Sequence, residues 1–354
     1  MPRHIKQALC LLAGLVIGHT SASAQKLIPV QRAADWTIKV HKQQRLDKWG
    51  IPAANYSGIT LLGDGRYAVV SDEESKDGFY IMDLELDSIK GTVSHASISD
   101  MVASPQAGAD RDSEAITYLP SSNTLLIAGE NDQRILEYNM DGTRTPFELR
   151  VPQSMGTEAI YPNYGFEALT YSHFDHLIWA MTEHTLRADG KPSDHTNRTG
   201  CMLRLQLFEP TEYMPVSQCL YQTDAPTVKK QGRNYAFGVS GMASLPDGTL
   251  LIMEREFYVA RKYMGSFVAV KLYRVNPREA KKDTVLPKEL IASFKTHINL
   301  LHRNIANYEG ICVGQRLPSG KLPIILLSDS QAGAGNSLYH MKDYIKVITI
   351  DMNK

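Results

Sequence analysis

A short sequence signature occurs five times along this chain. Each copy begins with Ser or Glu, continues with a small and an aliphatic residue, and leads through a short strand and a turn to a second apolar strand that ends in an acid. The copies begin at Ser57, Glu114, Glu167, Ser240 and Glu309. Self-similarity of this kind marks repeat architectures, in which stacked units bury a core that no single unit buries alone. The sequence therefore predicts a repeat protein.

The spacing of the copies predicts a β-propeller. Successive copies start 57, 53, 73 and 69 residues apart, an interval that suits one four-stranded antiparallel blade. Between them lie short runs rich in Val, Ile, Leu and Tyr, separated by Asp-Gly and Pro-Asp-Gly turns, which is typical of an all-β chain. We expect five blades, or six if one blade has lost the signature. The segment Thr37–Val40 is expected to add an outer strand beside the C-terminal strand Lys346–Ile350 and so close the ring.

This fold predicts two rings of polar side chains at one mouth of the central channel. The residue that opens each inner strand should lie at the mouth, and the acid that ends the second, antiparallel strand should return to the same face. The predicted inner ring is Ser57, Glu114, Glu167, Ser240 and Glu309. The predicted outer ring is Asp72, Glu130, Glu183, Glu254 and Asp329.

The inner ring has the composition of a calcium site. Three carboxylates on one axis repel each other unless they are protonated or bind a cation. The ring offers only oxygen ligands, without thiolate or imidazole, and such hard ligands suit Ca²⁺, which accepts six to eight oxygens. The alternative is that these Ser and Glu side chains only begin their strands and contact water in the channel.

Several segments of the chain resemble a known family. They are Asn307–Ile311, Leu317–Gly320, Leu326–Asp329, Met253–Phe257, Lys271–Val275 and Asn163–Leu169. They resemble the family called esterase-like activity of phytase, over most of residues 50–350. That resemblance implies an exported, propeller-like protein that hydrolyses phosphoesters. More distantly, the order Ser, Glu, Glu, Ser, Glu is similar to that of the five-bladed calcium-dependent apyrases, which implies a calcium ion at the inner ring. Other apyrase motifs are not evident, so nucleotide specificity does not follow.

Hydrolysis of a phosphoester also needs bases and cationic side chains. A base orients the attacking water, and Arg or Lys binds the phosphate. We expect Asp72 or Glu130 to act as the base, and Arg255, directly beside an outer-ring acid, to act in catalysis. For Arg255 the alternative is an ion pair with a carboxylate of a neighbouring blade. Further candidates for substrate binding are Arg111, Arg134, Arg261, Glu183, Glu254 and Asp329.

Two functions remain open at this point. The first is a calcium-dependent hydrolase whose substrate is a small phosphoester. The second is a non-catalytic propeller whose acidic face binds a ligand or partner. The chain lacks the G-x-S-x-G, P-loop and H-E-x-x-H motifs, which excludes the corresponding hydrolase mechanisms.

The N-terminal segment and the charge balance predict export of a soluble protein. Basic residues, an apolar run and Ala22-Ser23-Ala24 together resemble a signal peptide cleaved after Ala24, which places the mature protein outside the cell or in the periplasm. Removing these 24 of 354 residues leaves 330, which we expect to form a single domain over residues 25–354. The full chain has 38 basic and 38 acidic residues, a balance that argues against binding nucleic acid. No second apolar run is long enough to span a membrane.

The cysteines allow one disulfide. Cys201 and Cys219 flank a predicted hairpin, and in one register they would face each other and pair in an oxidising compartment. In another register both would stay free. Cys312 is expected to be a buried thiol.

Overall fold

Five four-stranded antiparallel blades surround a central channel in the computed structural model of this chain. The structure describes residues 35–72, 74, 76–106, 111–281, 283–331, 333–336 and 339–352. The predicted signal peptide, residues 1–24, lies outside these residues. The propeller has five blades and not six, as the five copies of the signature predict.

Each blade follows the chain outward from the channel, and the fifth ends with strands from both ends of the chain. Blade 1 consists of β3 (Tyr56–Gly63), β4 (Arg66–Ser71), β5 (Gly78–Leu86) and β6 (Val93–Ile98), with β7 (Val102–Ala103) paired to β5. Blade 2 consists of β8 (Ser113–Leu119), β9 (Thr124–Gly129), β10 (Arg134–Asn139) and β11 (Arg144–Glu148). Blade 3 consists of β12 (Phe166–Tyr171), β13 (Ile178–Thr182), β14 (Met202–Phe208) and β15 (Pro215–Gln222). Blade 4 consists of β16 (Asn234–Ser244), β17 (Leu250–Val259), β18 (Ser266–Val275) and β19 (Lys288–Ile298). Blade 5 consists of β20 (Asn307–Val313), β21 (Leu322–Asp329), β24 (Tyr344–Asp351) and β1 (Thr37–Val40), with β2 (Gln44–Arg45) paired to β24.

Short elements complete the described chain. They are the hairpin β22 (Gly335–Asn336) and β23 (Tyr339–His340), and the 3-10 helices Leu46–Trp49, Gln153–Met155, Thr157–Ala159 and Pro277–Glu279. No helix among the described residues is long and apolar enough to cross a membrane.

The hydrophobic core is divided among the five interfaces between neighbouring blades. Each of the five clusters of buried side chains joins two consecutive blades. In β4, for example, Val69 packs towards blade 5 and Val70 towards blade 2. Because successive side chains of a strand point to opposite faces, a strand buried on both faces must be apolar at every position. This explains continuous runs such as Leu125–Ala128 in the second strand of blade 2.

The N-terminal strand closes the ring, as the sequence predicts. β1 pairs antiparallel with β24, with Ile38 opposite Ile350 and Val40 opposite Ile348. Trp36, just before this strand, is buried and stacks on the guanidinium of Arg274 in blade 4. Without β1, β24 would be an unpaired edge, which is a site for aggregation.

The predicted hairpin is present, and of the two registers considered for it the structure has the one in which Cys201 and Cys219 stay free. In the observed register Cys219 lies opposite Leu205, and Met202 lies opposite Gln222. The backbone N–H of Cys201 bonds to the Thr223 hydroxyl oxygen, so the two cysteines are not partners. Both are free and buried, and Cys312 is a buried thiol, as expected.

Candidate functional site

Every inner strand carries a β-bulge at the same position. The pairing between the first and second strands shifts by one residue at each copy of the signature. The bulged residues are those of the inner ring: Ser57, Glu114, Glu167, Ser240 and Glu309. A bulge re-aims a side chain away from the ordinary alternation of a strand. The fivefold bulge is therefore the local reason why these residues turn towards the axis.

The small residue after each ring residue is required by the neighbouring blade. A Cβ atom added at Gly58 would lie 2.9 Å from the backbone oxygen of Glu114. One added at Gly241 would lie 2.7 Å from the backbone oxygen of Glu309. Both distances are shorter than van der Waals contact, so the inner strands approach as closely as they do because these residues lack a side chain.

The two ring serines join neighbouring blades. The Ser57 hydroxyl donates to the backbone oxygen of Ser113 at 2.6 Å, and the Ser240 hydroxyl donates to that of Tyr308 at 3.0 Å. Because each hydroxyl proton is donated to a backbone oxygen, the serine oxygens have only their lone pairs left to bind a ligand on the channel axis.

The second ring differs from the prediction in blade 4. In each blade the residue just before the bulge pairs with a residue of the second strand, and the second-ring residue is the next one along that strand. In blades 1, 2, 3 and 5 this next residue is an acid: Asp72, Glu130, Glu183 and Asp329. In blade 4 that register places Val239 opposite Glu254 and Gly238 opposite Arg255. Arg255, not Glu254, therefore occupies the fifth position of the second ring. We refer to Asp72, Glu130, Glu183, Arg255 and Asp329 as the second ring.

Glu254 lies on the opposite face of its strand from Arg255. Its carboxylate accepts hydrogen bonds from the Tyr221 hydroxyl at 2.6 Å, from the Asp224 N–H at 3.0 Å and from Lys288 Nζ at 2.7 Å. These contacts tie blade 3 to blade 4. The prediction that Glu254 belongs to the channel mouth is wrong, because adjacent strand residues face opposite sides.

Arg255 makes ion pairs with carboxylates of both neighbouring blades. It is 4% exposed, and its two terminal nitrogens bind Glu183 of blade 3 and Glu309 of blade 5. Nη1 also donates to Asn307 Oδ1 at 3.0 Å. This is the ion-pair alternative considered for Arg255, and in this state the guanidinium forks are occupied by protein carboxylates.

The other predicted cationic side chains make their described contacts with residues outside the two rings. Arg111 is buried in blade 2, where Nε binds Asp132 Oδ2 at 2.7 Å and Nη2 donates to the Arg134 backbone oxygen at 2.7 Å. Arg134 Nε pairs with Glu148 Oε2 at 2.6 Å on the surface. Arg261 is exposed, and Nη2 donates to Gln231 Oε1 at 3.4 Å. The structure joins none of these three side chains to a ring carboxylate by a described contact, and their role in substrate binding stays a prediction.

The two rings hold far more negative than positive charge. They contain seven carboxylates and one guanidinium. Burial raises the pKa of Glu114, and the neighbouring Glu167 and Glu309 raise it further. Burial also raises the pKa of Glu309, with Asp329 adding to the effect and Arg255 opposing it. Burial raises the pKa of Glu183 to about 7, again against Arg255. The carboxylates are thus held where their charged forms are costly without further cations.

The donor set fits a hard divalent cation. Oε2 of Glu167 and Oε2 of Glu309 are buried and have no hydrogen-bond partner among the described residues, and buried polar atoms in proteins are otherwise almost always paired. One carboxylate oxygen from each of Asp72, Glu309 and Asp329 lies within 4.8 Å of the others. The cavity lined by Ser57 and the three ring glutamates has a volume of about 10 Å³, which is room for about one water-sized species. Oxygen ligands only, in a small buried cavity, suit calcium.

Polar residues two positions before the inner ring also lie at the site, and the repeated motif did not predict them. Oxygens of Asp112, Asp72 and Glu114 form a second group within 4.8 Å of each other. Asn307 donates through Nδ2 to Glu309 Oε1 at 2.7 Å and to Asp329 Oδ2 at 3.3 Å. Asn55 occupies the same place in blade 1, where its backbone oxygen accepts from the Asp72 N–H at 3.3 Å. The signal in the sequence was Asn or Asp two residues before Ser57, Glu114 and Glu309.

Comparisons with known proteins identify one family. The family described as "Phytase-like: Esterase-like activity of phytase" matches residues 51–331, which include both rings. No curated protein matches the chain. Similar solved structures include the endo-arabinase of Bacteroides thetaiotaomicron VPI-5482, with 12% identity, coverage of 86% of this chain and 96% of that chain, and a TM-score of 0.46. They also include the PQQ-bound aldose sugar dehydrogenase of Streptomyces coelicolor, with 12% identity, coverage of 89% and 98%, and a TM-score of 0.43.

Proposed function

The chain belongs to the phytase-like family described as esterase-like activity of phytase, and on this basis we propose that it is an exported, calcium-dependent phosphoester hydrolase that acts at the mouth of its channel. One observation carries the proposal. Seven carboxylates of the two rings face a single guanidinium, and in the part of the chain that the structure describes, buried oxygens of Glu167 and Glu309 lack a hydrogen-bond partner. Such a cluster lacks positive charge, which a divalent cation would supply, and the bound cation would in turn attract an anionic phosphate substrate.

The residues that would hold calcium come from both rings. The inner ring offers the carboxylates of Glu114, Glu167 and Glu309 and the hydroxyl oxygens of Ser57 and Ser240. The second ring adds Asp72 and Asp329, whose oxygens lie near that of Glu309. When bound, calcium would supply a Lewis acid that polarises a phosphoryl oxygen.

Asp72 and Glu130 remain the best candidates for the base. Both are only partly buried, whereas Glu183 and Asp329 are fully buried. Burial raises the pKa of Glu130, although the Gly165 N–H that its Oε1 accepts at 3.0 Å opposes the shift. A carboxylate with a raised pKa accepts a proton from water more readily at neutral pH than a solvated one. Glu130 would take this proton at its carboxylate and hold the water in line.

Arg255 would act mainly by positioning the acids. Its ion pairs with Glu183 and Glu309 fix carboxylates of two blades relative to each other. Phosphate binding by Arg255 would require the substrate to replace at least one of these carboxylates. We therefore assign Arg255 to charge balance in the resting site and not to a permanent phosphate clamp.

The test combines calcium binding with hydrolysis. Purified protein is treated with chelator, and its melting temperature and its turnover of a panel of phosphomonoesters, phosphodiesters and nucleotides are measured with and without calcium. We expect calcium to raise the melting temperature and to restore turnover. A ligand present at 100 times its Kd stabilises a protein by about 2.7 kcal/mol, which is readily detected.

Glu309→Gln and Glu254→Gln form a matched pair of variants. Both residues are buried glutamates of blades 4 and 5, but only Glu309 lies in the ring. Glu309→Gln should weaken calcium binding by about 10-fold or more, while Glu254→Gln should leave the calcium-dependent shift unchanged. No shift with calcium, or equal loss in both variants, would remove the ring from the proposal.

One observation supports a second candidate function. The two terminal nitrogens of Arg255 are bound to carboxylates, so phosphate binding by this side chain would require it to release one of them. A calcium-stabilised propeller that binds a cationic or calcium-coordinating partner fits this feature. Calcium-dependent stabilisation without turnover of any phosphoester would favour this binding function.

A further inference from the structure

A large groove lies between blades 4 and 5, separate from the channel. Its volume is about 1040 Å³. One wall is the segment Lys42–Lys48 that follows β1, and the other is formed by the end of β19 with the loop to Asn304. Tyr344 and Lys346, at the start of β24, form its base. None of the ring residues lines this groove.

Lys346 is a buried cation without a carboxylate partner. It is 7% exposed and occupies a core position, between Tyr344 and Ile348 on the same face of β24. Its ammonium donates to the backbone oxygen of His41 at 2.7 Å and lies 4.5 Å from the centre of the Phe294 ring. Within the described part of the chain no carboxylate lies within 4.0 Å of it. An uncompensated buried charge is costly, so its presence in a core position needs an explanation.

Further cations surround Lys346. Besides Lys346, the cationic residues that line the groove include Lys42, Arg45 and Lys48, with His302 beside them. The one carboxylate in its lining, Asp47, is already bound to Arg45 and lies 3.9 Å from Lys342 Nζ. Lys48 rests on an aromatic ring, with Nζ 3.7 Å from the centre of the Trp49 ring, a contact that attracts a cation without neutralising it.

The walls of the groove are fixed by hydrogen bonds. Gln43 Nε2 donates to the Asn304 backbone oxygen at 2.8 Å, and Gln43 Oε1 accepts from the Tyr308 hydroxyl at 2.9 Å. Gln44 Nε2 donates to the Val93 backbone oxygen at 2.9 Å in blade 1. The cationic side chains therefore extend from a framework tied to three blades, and do not lie on a loose loop.

We propose that this groove binds a small anion that carries more than one phosphate group. The whole chain has equal numbers of basic and acidic residues, so four Lys and Arg residues beside one carboxylate, a net positive charge of three, are a local feature. Their charge exceeds that of one orthophosphate, and the volume of the groove exceeds its size. Lysine ammonium groups bind phosphate as point charges, and the attraction is strongest where one of them is withdrawn from water.

The test is titration of chelator-treated protein with inorganic pyrophosphate by isothermal calorimetry. We expect saturable binding that weakens as sodium chloride is raised, because exposed lysines contribute to it. Lys346→Met should weaken binding by at least tenfold and should not lower the melting temperature, because it removes a buried unpaired charge and keeps the volume. A role of Lys346 in stability alone predicts the reverse pattern.

Two further variants keep the test decisive. Lys42→Ala changes an exposed groove residue, so weaker binding is expected even if Lys346→Met does not fold. Lys229→Met, an exposed lysine outside the groove, should leave the Kd unchanged. Glu309→Gln should also leave it unchanged, which separates the groove from the channel mouth.

A parallel experiment identifies the source of the phosphate. Leu300 and Leu301, in the loop next to His302, are 90% and 89% exposed, so a lipid headgroup is one source and a soluble anion the other. Cosedimentation with cardiolipin vesicles, whose headgroup carries two phosphates, compared with phosphatidylcholine vesicles, distinguishes them. Binding of either probe that Lys42→Ala weakens supports the proposal and names the source. Absence of binding to both probes, or binding that neither groove variant changes, would overturn it.

Discussion

A single arginine carries the positive charge of the candidate site. Arg255 binds Glu183 on one side and Glu309 on the other, and it takes the place that an acid holds in each of the other four blades. With an acid in blade 4 as well, the second ring would consist of five carboxylates next to the three carboxylates of the inner ring. The exchange of one acid for one arginine therefore decides whether the ring can fold without a cation.

We predict that Arg255→Met destabilises the metal-free protein by about 3–5 kcal/mol at pH 7.5, because it leaves two buried carboxylates unpaired. The loss should be smaller at pH 5, where these carboxylates take up protons. Urea unfolding at both pH values measures the change. Arg134→Met is the matched control, since its pair with Glu148 is exposed and should contribute less than about 1 kcal/mol. Equal losses in the two variants would show that Arg255 is not the counter-charge.

At the residue scale, the sequence predicted the inner ring but misassigned one member of the second. The inner residues share a motif, Ser or Glu followed by Gly or Ala, that is visible without a structure. The second ring has no such motif, because the turns between first and second strands differ in length. In blade 4 an acid, Glu254, stands one residue before the ring position, and only the pairing register separates it from Arg255. The pairing of Cys201 and Cys219 stayed open for the same reason, since register is set by the turn.

At the scale of strands, the approach of one blade to the next depends on residues without bulk. Blades 1, 4 and 5 have Gly after the ring residue, while blades 2 and 3 have Ala115 and Ala168. These positions are equivalent in the repeat, but they differ in the room that the neighbouring blade leaves for a Cβ atom. At Gly241 a Cβ atom would approach the Glu309 backbone oxygen to 2.7 Å and Ile311 Cγ2 to 2.8 Å. A backbone oxygen in the next blade cannot move without shifting that blade's ring residue.

We therefore predict that Gly241→Ala destabilises the protein by about 1–3 kcal/mol, as expected for overpacking, and also weakens calcium binding because it displaces Glu309. The control is the reverse change at the equivalent position, Ala168→Gly, which should cost only about 0.5–1 kcal/mol through backbone entropy. Urea unfolding and calcium titration of both variants provide the measurements. If Gly241→Ala is as stable as the original protein, the spacing of the inner strands is not set by this glycine.

The strands themselves were largely predictable. Continuous apolar runs identify the second strand of each blade, because such strands are buried on both faces. Ring closure by Thr37–Val40 was predictable from the lengths of the segments. The segment before Ser57 is too short for a blade, and the last blade lacked an outer strand. What the sequence could not supply was the bulge, which depends on pairing between strands and gives no pattern of its own.

At the scale of the whole molecule, the buried carboxylates of the two rings should make the stability of the protein depend on pH and on calcium. Burial raises the pKa of Glu183 to about 7 from an ordinary value of 4.5, and it raises the pKa values of Glu114, Glu167 and Glu309 as well. A carboxyl with a higher pKa in the folded state binds more protons when folded than when unfolded. Its stabilising contribution is present below pH 4.5 and is lost as the pH rises through the folded pKa.

We predict that the metal-free protein loses stability between pH 4.5 and pH 8, and that calcium restores it most strongly at the upper end. Calcium needs deprotonated carboxylates, so its effect on the melting temperature should be small at pH 5 and large at pH 8. Melting curves with chelator or calcium across this range measure both effects. Glu183→Gln should make the melting temperature of the calcium-free protein depend less on pH, because the variant lacks one carboxyl group with a raised pKa. A calcium effect that is equal at pH 5 and pH 8 would place the ion away from these carboxylates, since an ion bound by them must compete with protons in that interval.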